Sequence, residues 1–362
     1  MASLFDPLEL GALHLPNRIV MAPLTRARAG RDAVPTPIMA EYYAQRASAG
    51  LIISEATGIT REGLGWPNAP GLWNQAQVEG WKPVVAAVHE AGGHMVAQLW
   101  HMGRLVHPDL GETQPVSSSP ITAPGDAHTY EGKKPYVEPR AATAADIDRI
   151  VKDYARAARN AVSAGFDGVQ IHGANGYLVD QFLRNGANNR ADNYGGWIDN
   201  RLRFMTEVLE AVGAEIGMSR VGIRFSPNIL VQGVEDTNPL SLFTAVAARL
   251  EELKVPWIEL REAHRPTSAG AVPTEPVSQA MRPIYSGRIL LNSDYDGPTA
   301  RARMAEGIAD GIAFGRPFIS NPDLVHRIAA GAPLAPGDSA TFYSGGAEGY
   351  VDYPVFEEAR AA

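Results

Sequence analysis

Cysteine is absent from the whole 362-residue chain. Disulfides, cysteine-bound zinc, iron–sulfur clusters and thiol nucleophiles are thereby excluded. Long apolar runs are missing too: segments such as Leu51–Ile53 are far too short to span a bilayer. The start, Met1-Ala2-Ser3-Leu4-Phe5-Asp6-Pro7, lacks the charged stretch followed by an apolar stretch that marks a signal peptide, so a cytoplasmic location is expected. Positive charge is in short supply, with 32 Lys and Arg against 40 Asp and Glu and a formal net charge of −8. Nucleic acid and anionic membranes are therefore not expected partners. Small molecules are, bound by a monomer or a small homo-oligomer, and a local phosphate site needs only one or two arginines.

What is present is an ordinary globular composition, 45% hydrophobic and 20% charged. Short apolar segments alternate with longer stretches of helical period. The strand candidates are Arg18–Ala22, Leu51–Glu55, His94–Leu99, Gly168–His172, Val221–Phe225, Trp257–Leu260, Arg288–Leu291 and Gly311–Phe314. The helix candidates between them are Pro37–Ala49, Gln75–Ala91, Ala144–Ala164, Trp197–Ile216, Leu240–Leu253, Glu275–Tyr285, Pro298–Glu306 and Asp323–Ala330. In the third helix Ile147, Ile150, Val151, Tyr154, Ala158, Ala161 and Val162 form one stripe, and Gly165 supplies a stop. The strands read as continuous apolar runs, as expected when both faces are covered. Eight such units predict an α/β protein, a closed parallel (β/α)8 TIM barrel. Leu8–Leu15 alternates around Gly11-Ala12 and predicts an N-terminal hairpin that plugs the barrel. Residues 101–143 are too long for a simple connection and predict a lid after strand three, over the C-terminal mouth. No linker interrupts the chain, so 1–362 is expected to be a single domain.

Barrel active sites sit just past the strand C-termini. Those places hold Pro23 and Thr25; Glu55 and Ala56; Gln98, Trp100 and His101; His172, Asn175 and Tyr177; Arg224 to Asn228; Arg261 and Glu262; Asn292, Ser293, Asp294 and Tyr295; and Gly315 and Arg316. Each has a structural reading: Arg18 as an ion-pair residue, His101 and His107 as lid residues, His172, Asn175 and Tyr177 as a polar network. Convergence of polar groups at nearly every strand end favours a site. Gly315 lets the backbone approach an anion, and Arg316 adds a fork of donors, so the loops after strands seven and eight predict a phosphate cradle. His172 and Asn175 resemble half a metal site, but no second histidine or acid accompanies them, and no metal is expected. A Schiff base would need a lysine at a strand end, whereas Lys82, Lys152 and Lys254 lie in helices. A glycosidase would need a second carboxylate to partner Asp294.

Several stretches carry a family resemblance: NRIVMAPLTR (17–26), AEYYAQRASAGLIISEAT (40–57), AQLWHMGR (97–104), HGANGYLVDQFL (172–183), YGGWIDNRLRF (194–204), RFSPN (224–228) and AFGRPFISNPDL (313–324). From Leu4 to Pro354 the chain resembles the Old Yellow Enzyme family, in the class with bacterial nitroester and 2-cyclohexenone reductases. The resemblance implies a barrel that binds FMN non-covalently, with NAD(P)H as co-substrate. Such an ene-reductase reduces activated C=C bonds in α,β-unsaturated carbonyls and nitroalkenes, and nitroesters, by a ping-pong mechanism.

Residue by residue, it implies that Pro23, Thr25 and Ala56 lie along the isoalloxazine, with Thr25 on flavin O4 where another branch of the family carries a cysteine. Gln98 would contact the pyrimidine edge and Arg224 the N1 and O2 region. Arg316, with backbone around Ser293, Asp294 and Gly315, would hold the phosphate. Trp100 and Tyr350 would border the substrate space. His172 and Asn175 would donate to the substrate's carbonyl or nitro oxygen, and Tyr177 would supply the proton. Three features depart from the pattern: LLNSDYD after strand seven is poor in glycine, Trp197 replaces a small residue, and the segment 262–276, with His264 and Arg265, matches nothing in it. Two other functions share parts of these features. One is a phosphosugar-type isomerase or aldolase on a phosphate-binding barrel; the other is a flavin-binding barrel without turnover.

Overall fold

The computed structural model describes residues 2–263 and 274–356. Eight parallel strands form its centre: β1 (Ile19–Met21), β2 (Leu51–Ile53), β3 (Met95–Trp100), β4 (Gly168–His172), β5 (Val221–Phe225), β6 (Trp257–Arg261), β7 (Arg288–Asn292) and β8 (Gly311–Phe314). Each pairs with the next in chain order, and β8 pairs with β1, aligning Ile312 with Ile19. The sheet therefore closes on itself, which the alternation of elements predicted but could not demonstrate.

The helices that follow the strands are α1 (Pro37–Ala44), α2 (Gln75–Glu90), α3 (Ala144–Ser163), α4 (Ile198–Ile216), α5 (Pro239–Glu252), α6 (Ser278–Met281), α7 (Gly297–Ala305) and α8 (Leu324–Ala330). Capping sets several starts. At α3, Thr143 Oγ1 accepts from the Asp146 N–H at 3.2 Å while the Asp146 carboxylate accepts from the Thr143 N–H at 2.9 Å. Two helices are shorter than their periodicity predicts. After α1 the backbone tightens, with the Ala47 N–H donating to Ala44 and the Ala49 N–H to Arg46. The Gly50 N–H already bonds Ile19 in the sheet. α6 is bracketed by Pro276 and Pro283, which remove donors and crowd a helix, so only its centre winds. Trp197 stands as the N-cap of α4 and is 85% exposed.

The bottom of the barrel is stoppered as expected. Leu8–Leu10 and Leu13–Leu15 pair antiparallel, and their four leucines pack with Val20, Leu51, Ile53, Val96, Trp257 and Leu290. Each leucine so buried contributes roughly 1.5–3 kcal/mol by leaving water. Gly222 is required by the same packing, since a Cβ there would lie 2.2 Å from the Trp257 ring. At the opposite end the 101–143 segment folds on itself. Val116–Ser117 pairs with Arg140–Ala141, and Asp126–Thr129 pairs with Gly132–Pro135 as a hairpin. This hairpin reaches the mouth: the His128 ring lies 4.4 Å from the Trp66 ring, and Tyr130 accepts from the Asn68 N–H through its hydroxyl.

Candidate active site

Inside the apolar strands, polar residues recur at alternate positions and so face the barrel interior together. Gln98 on β3 donates to Gln170 on β4 at 2.7 Å, and Gln170 donates to Glu259 on β6 at 2.8 Å. The other Glu259 oxygen accepts from Arg224 Nε on β5 at 3.0 Å, while Arg224 Nη2 donates to Asn292 on β7 at 2.9 Å. Asn292 in turn donates to the Ala313 carbonyl on β8 at 2.8 Å. All five side chains are buried, so each bond satisfies a group that water cannot reach. Gln98 and Arg224 were expected at the site. Gln170 and Glu259 were missed, although their signal was legible: a lone polar residue at an inward position of an apolar strand, as in Gly-Val-Gln-Ile-His and Trp-Ile-Glu-Leu-Arg.

Above this layer opens a cavity of about 950 Å³. Pro23 and Thr25 after β1, Trp100, Arg224, Arg261 and the β7 and β8 loops line it. Among the described residues Arg224 Nη1 has no protein partner, so one guanidinium nitrogen remains for a bound group. Ala56 is buried against Trp100 and Tyr177 in the adjoining apolar cluster. Gln98 and Ala56 lie behind the residues that line the cavity, Gln98 in the buried polar chain and Ala56 in this cluster.

The loop after β4 brings three predicted residues together. Asn175 stands in the left-handed region at φ +58°, with its backbone N–H donating to Ser226 Oγ at 2.7 Å. Gly176 follows at φ +78°, its N–H held by Asp180 at 2.9 Å. Asp180 also forms a fully buried ion pair with Arg184 at 2.9 Å, which anchors the loop to the barrel. The Tyr177 ring meets the His172 and Trp100 rings edge to face, centroids 4.7 and 5.0 Å away.

Charge states in this loop follow from burial. His172 is held well below its ordinary pKa, first by desolvation and then by the nearby Arg224 and Arg261 cations. Its Nδ1 accepts from the Ala174 N–H at 3.3 Å, so the neutral ring carries its proton on Nε2 and presents a donor there. Burial pushes the Tyr177 phenol above its usual value, only partly opposed by the Gln232 side chain and the two arginines. Asn175 Oδ1 accepts from Arg261 Nη1 at 2.7 Å. Three neutral donors therefore share this loop, with the His172 and Tyr177 rings beside Trp100.

At the far side, Ser293, Asp294, Gly315 and Arg316 all line the cavity. Ser293 and Asp294 take φ of 152° and 45°, conformations that turn the β7 loop inward. A Cβ at Gly315 would meet only Leu24, at 3.5 Å, and would otherwise project into open cavity space. Arg316 is half exposed, 3.8 Å from Asp294. An elongated group with an anionic end and a flat, hydrogen-bonding end fits this arrangement, and FMN has that form.

Four predicted residues are not among those that line the cavity: Ala56, Gln98 and His172 are buried next to residues that do, and Tyr350 lies apart. Tyr350 does not border the cavity: it is fully buried, stacked on Tyr42 at 4.1 Å with the Arg28 guanidinium 4.6 Å from its ring centroid. Arginines fix that position through backbone carbonyls of the C-terminal segment. Arg26 bonds Phe342 and Gly349, Arg28 bonds Thr341, and Arg46, itself held by the Phe318 and Ile319 carbonyls just after β8, reaches the Tyr350 carbonyl at 3.5 Å. The same clamp presents Tyr343 to the cavity, its ring 5.4 Å from Trp66. Of the segment 262–276, residues 264–273, with His264 and Arg265, lie outside the described residues. Glu262 turns away from the mouth and accepts from the Val277 and Ser278 N–H groups at the start of α6. Among the described residues no cluster of three or more His, Asp or Glu gathers as a metal site, and no helix is long and apolar enough to cross a membrane.

Residues 3–335 match the model of the NADH:flavin oxidoreductase / NADH oxidase family. A solved Old Yellow Enzyme homologue from Zymomonas mobilis superposes with a TM-score of 0.97 at 52% identity, covering 98% of this chain and 100% of the other. Morphinone reductase in complex with tetrahydroNAD gives 0.93 at 42% identity, covering both chains fully. Among curated proteins, chanoclavine-I aldehyde reductase of Penicillium roqueforti is 42% identical over 100% of this chain and 99% of its own. The 12-oxophytodienoate reductase 1 of Oryza sativa subsp. japonica is 40% identical over 98% and 93%. None of these likenesses supports the isomerase or aldolase alternative. The protein is a flavin oxidoreductase with non-covalent FMN and a nicotinamide co-substrate, and it reduces activated C=C bonds. A closed barrel with this cavity, matched along nearly its whole length, makes the chain a member of the NADH:flavin oxidoreductase / NADH oxidase family, the Old Yellow Enzyme family.

Proposed function

We propose that the chain acts as one FMN-binding domain, an NAD(P)H-dependent ene-reductase in which His172, Asn175 and Tyr177 treat the substrate directly. When bound, FMN supplies the hydride. Arg316 and the backbone around Ser293, Asp294 and Gly315 would hold its phosphate, while Pro23, Thr25, Ala56, Gln98 and Arg224 would hold its ring system. The Arg224 cation, itself fixed by Glu259 and Asn292, stabilises negative charge that develops on the ring.

His172 Nε2–H and the Asn175 amide donate to the carbonyl or nitro oxygen of the substrate, drawing electrons from the β-carbon. Both are aimed before substrate arrives, so little reorganisation is needed as charge grows on that oxygen. Tyr177 holds its proton through neutral pH and delivers it to the α-carbon. Trp100 and Tyr343 supply apolar walls that exclude water. The observation that carries this reading is that one loop holds three neutral donors, with Asn175 and Tyr177 on the cavity wall, His172 buried against Tyr177, and the Arg224 and Arg261 cations close by. Enones, enals and nitroalkenes are the substrates it predicts, and the relatives include proteins named 12-oxophytodienoate reductase and chanoclavine-I aldehyde reductase.

The test separates the half-reactions by stopped flow. Replacing His172 and Asn175 together by alanine should slow enone reduction about 10²–10³-fold. Quinones and dioxygen, which need less polarisation, should still be reduced. Loss of flavin and of both activities together would instead mark the pair as a structural network.

A further inference from the structure

We infer that Arg261 is a positioning residue for the reaction: its guanidinium holds the Asn175 side-chain amide in the one orientation that turns the amide N–H bonds toward the substrate. The inference rests on the donor role proposed for Asn175. A carboxamide is nearly symmetric in shape, so packing alone does not decide which end faces which way. A guanidinium has donors and no acceptor, so the amide end that meets it must be oxygen. Arg261 Nη1 meets Asn175 Oδ1 at 2.7 Å. Nδ2 is left as the other end, and among the described residues it has no protein acceptor, while Asn175 lines the cavity.

The surroundings make this bond specific. The backbone of Asn175 is pinned in the left-handed region by Ser226, so the side chain leaves the loop at a fixed angle. Arg261 sits at the last residue of β6, aligned in register with Asn292, on a strand rather than a loop. It has no carboxylate within ion-pair distance among the described residues, unlike Arg224, which is paired with Glu259. Burial and the neighbouring Arg224 bring its pKa down to about 10, which leaves it a cation at neutral pH. A desolvated guanidinium spent on an amide oxygen costs stability. Its return is catalytic: the charge-assisted bond polarises the amide and strengthens its N–H bonds as donors to a developing oxyanion. Without Arg261 the amide would also populate the flipped state, presenting its oxygen to the substrate's oxygen.

Arg261→Met, Arg261→Lys, Asn175→Ala and the Arg261→Met/Asn175→Ala double variant test this as FMN-loaded holoenzymes. Flavin content, the enone half-reaction and the quinone half-reaction are read in each. Arg261→Met should keep its FMN and slow enone reduction about 10-fold with little change toward quinone. Arg261→Lys, which keeps a donor cation, should recover to within about threefold of the parent. The double variant should be no slower than Asn175→Ala alone, because the two residues act as one unit. Additive losses in that cycle, equal slowing toward enone and quinone, or loss of FMN from Arg261→Met would overturn the inference. A parent-like rate in Asn175→Ala would instead bring down the donor assignment on which it rests.

Discussion

The rings of His172 and Tyr177 meet edge to face, centroids 4.7 Å apart with planes at 84°. Burial drives their pKa values in opposite directions, the imidazole down and the phenol up. The outcome is the same for both: each is neutral near pH 7 and each has a proton to offer. A hydrogen-bond donor and a proton donor thus stand side by side without titrating against one another.

A pH profile follows from those directions. A lowered histidine pKa moves its protonation below the ordinary histidine range, and a raised phenol pKa moves proton loss above the ordinary tyrosine range. Enone reduction should therefore be flat from about pH 6 to about pH 9. Stopped-flow rates across that range check it. A step near the ordinary histidine value that vanishes in His172→Gln would contradict it.

Arg316 lies at the open end of the cavity, half exposed and only loosely engaged by Asp294 at 3.8 Å. If it clamps the phosphate, Arg316→Ala should weaken FMN binding about tenfold and leave the fold intact. Fluorescence titration of flavin-free protein with FMN measures this. Unchanged affinity would remove Arg316 from the cofactor site.

Arg224 and Glu259 form a buried pair, at 7% and 0% side-chain exposure. Arg224→Ala would strand the carboxylate, with a stability loss of about 3–5 kcal/mol. The double variant Arg224→Met/Glu259→Gln leaves no uncompensated charge and should regain most of it. Urea unfolding of the flavin-free proteins makes the comparison without interference from cofactor binding.

Tyr343 and Tyr350 should behave in contrasting ways. Tyr343 lines the cavity and is 55% exposed, so Tyr343→Ala should change KM for bulky enones with almost no change in Tm. Tyr350 fills the stack with Tyr42, so Tyr350→Ala should cost about 3–5 kcal/mol, the scale for removing a buried aromatic. A parent-like Tm in Tyr350→Ala would show that the arginine–carbonyl clamp alone holds the C-terminal segment.

Much of this protein is legible in its sequence alone. The helix and strand periods are local properties, so Val221–Phe225, Gly168–His172 and Gly311–Phe314 are found where their apolar runs predict them. His172, Asn175 and Tyr177 were legible as a group because six consecutive residues at one strand end carry all three. The absence of cysteine and of long apolar runs limited the chemistry for equally local reasons.

What the tertiary structure decided is what joins residues far apart in the chain. Asn175 and Arg261 are 86 residues apart in sequence, and only the pairing of β5 with both β4 and β6 brings β6 near the loop after β4. The Gln98–Gln170–Glu259–Arg224 chain needs the register of four strands before any of its members has a partner. Tyr343 and Tyr350 are both C-terminal aromatics on a segment with little periodicity. Which one faces the cavity is settled by Arg26, Arg28 and Arg46, some 300 residues upstream, whose guanidiniums capture that segment's carbonyls. Periodicity reports the face a residue turns inward; only the closed barrel determines what waits on the other side.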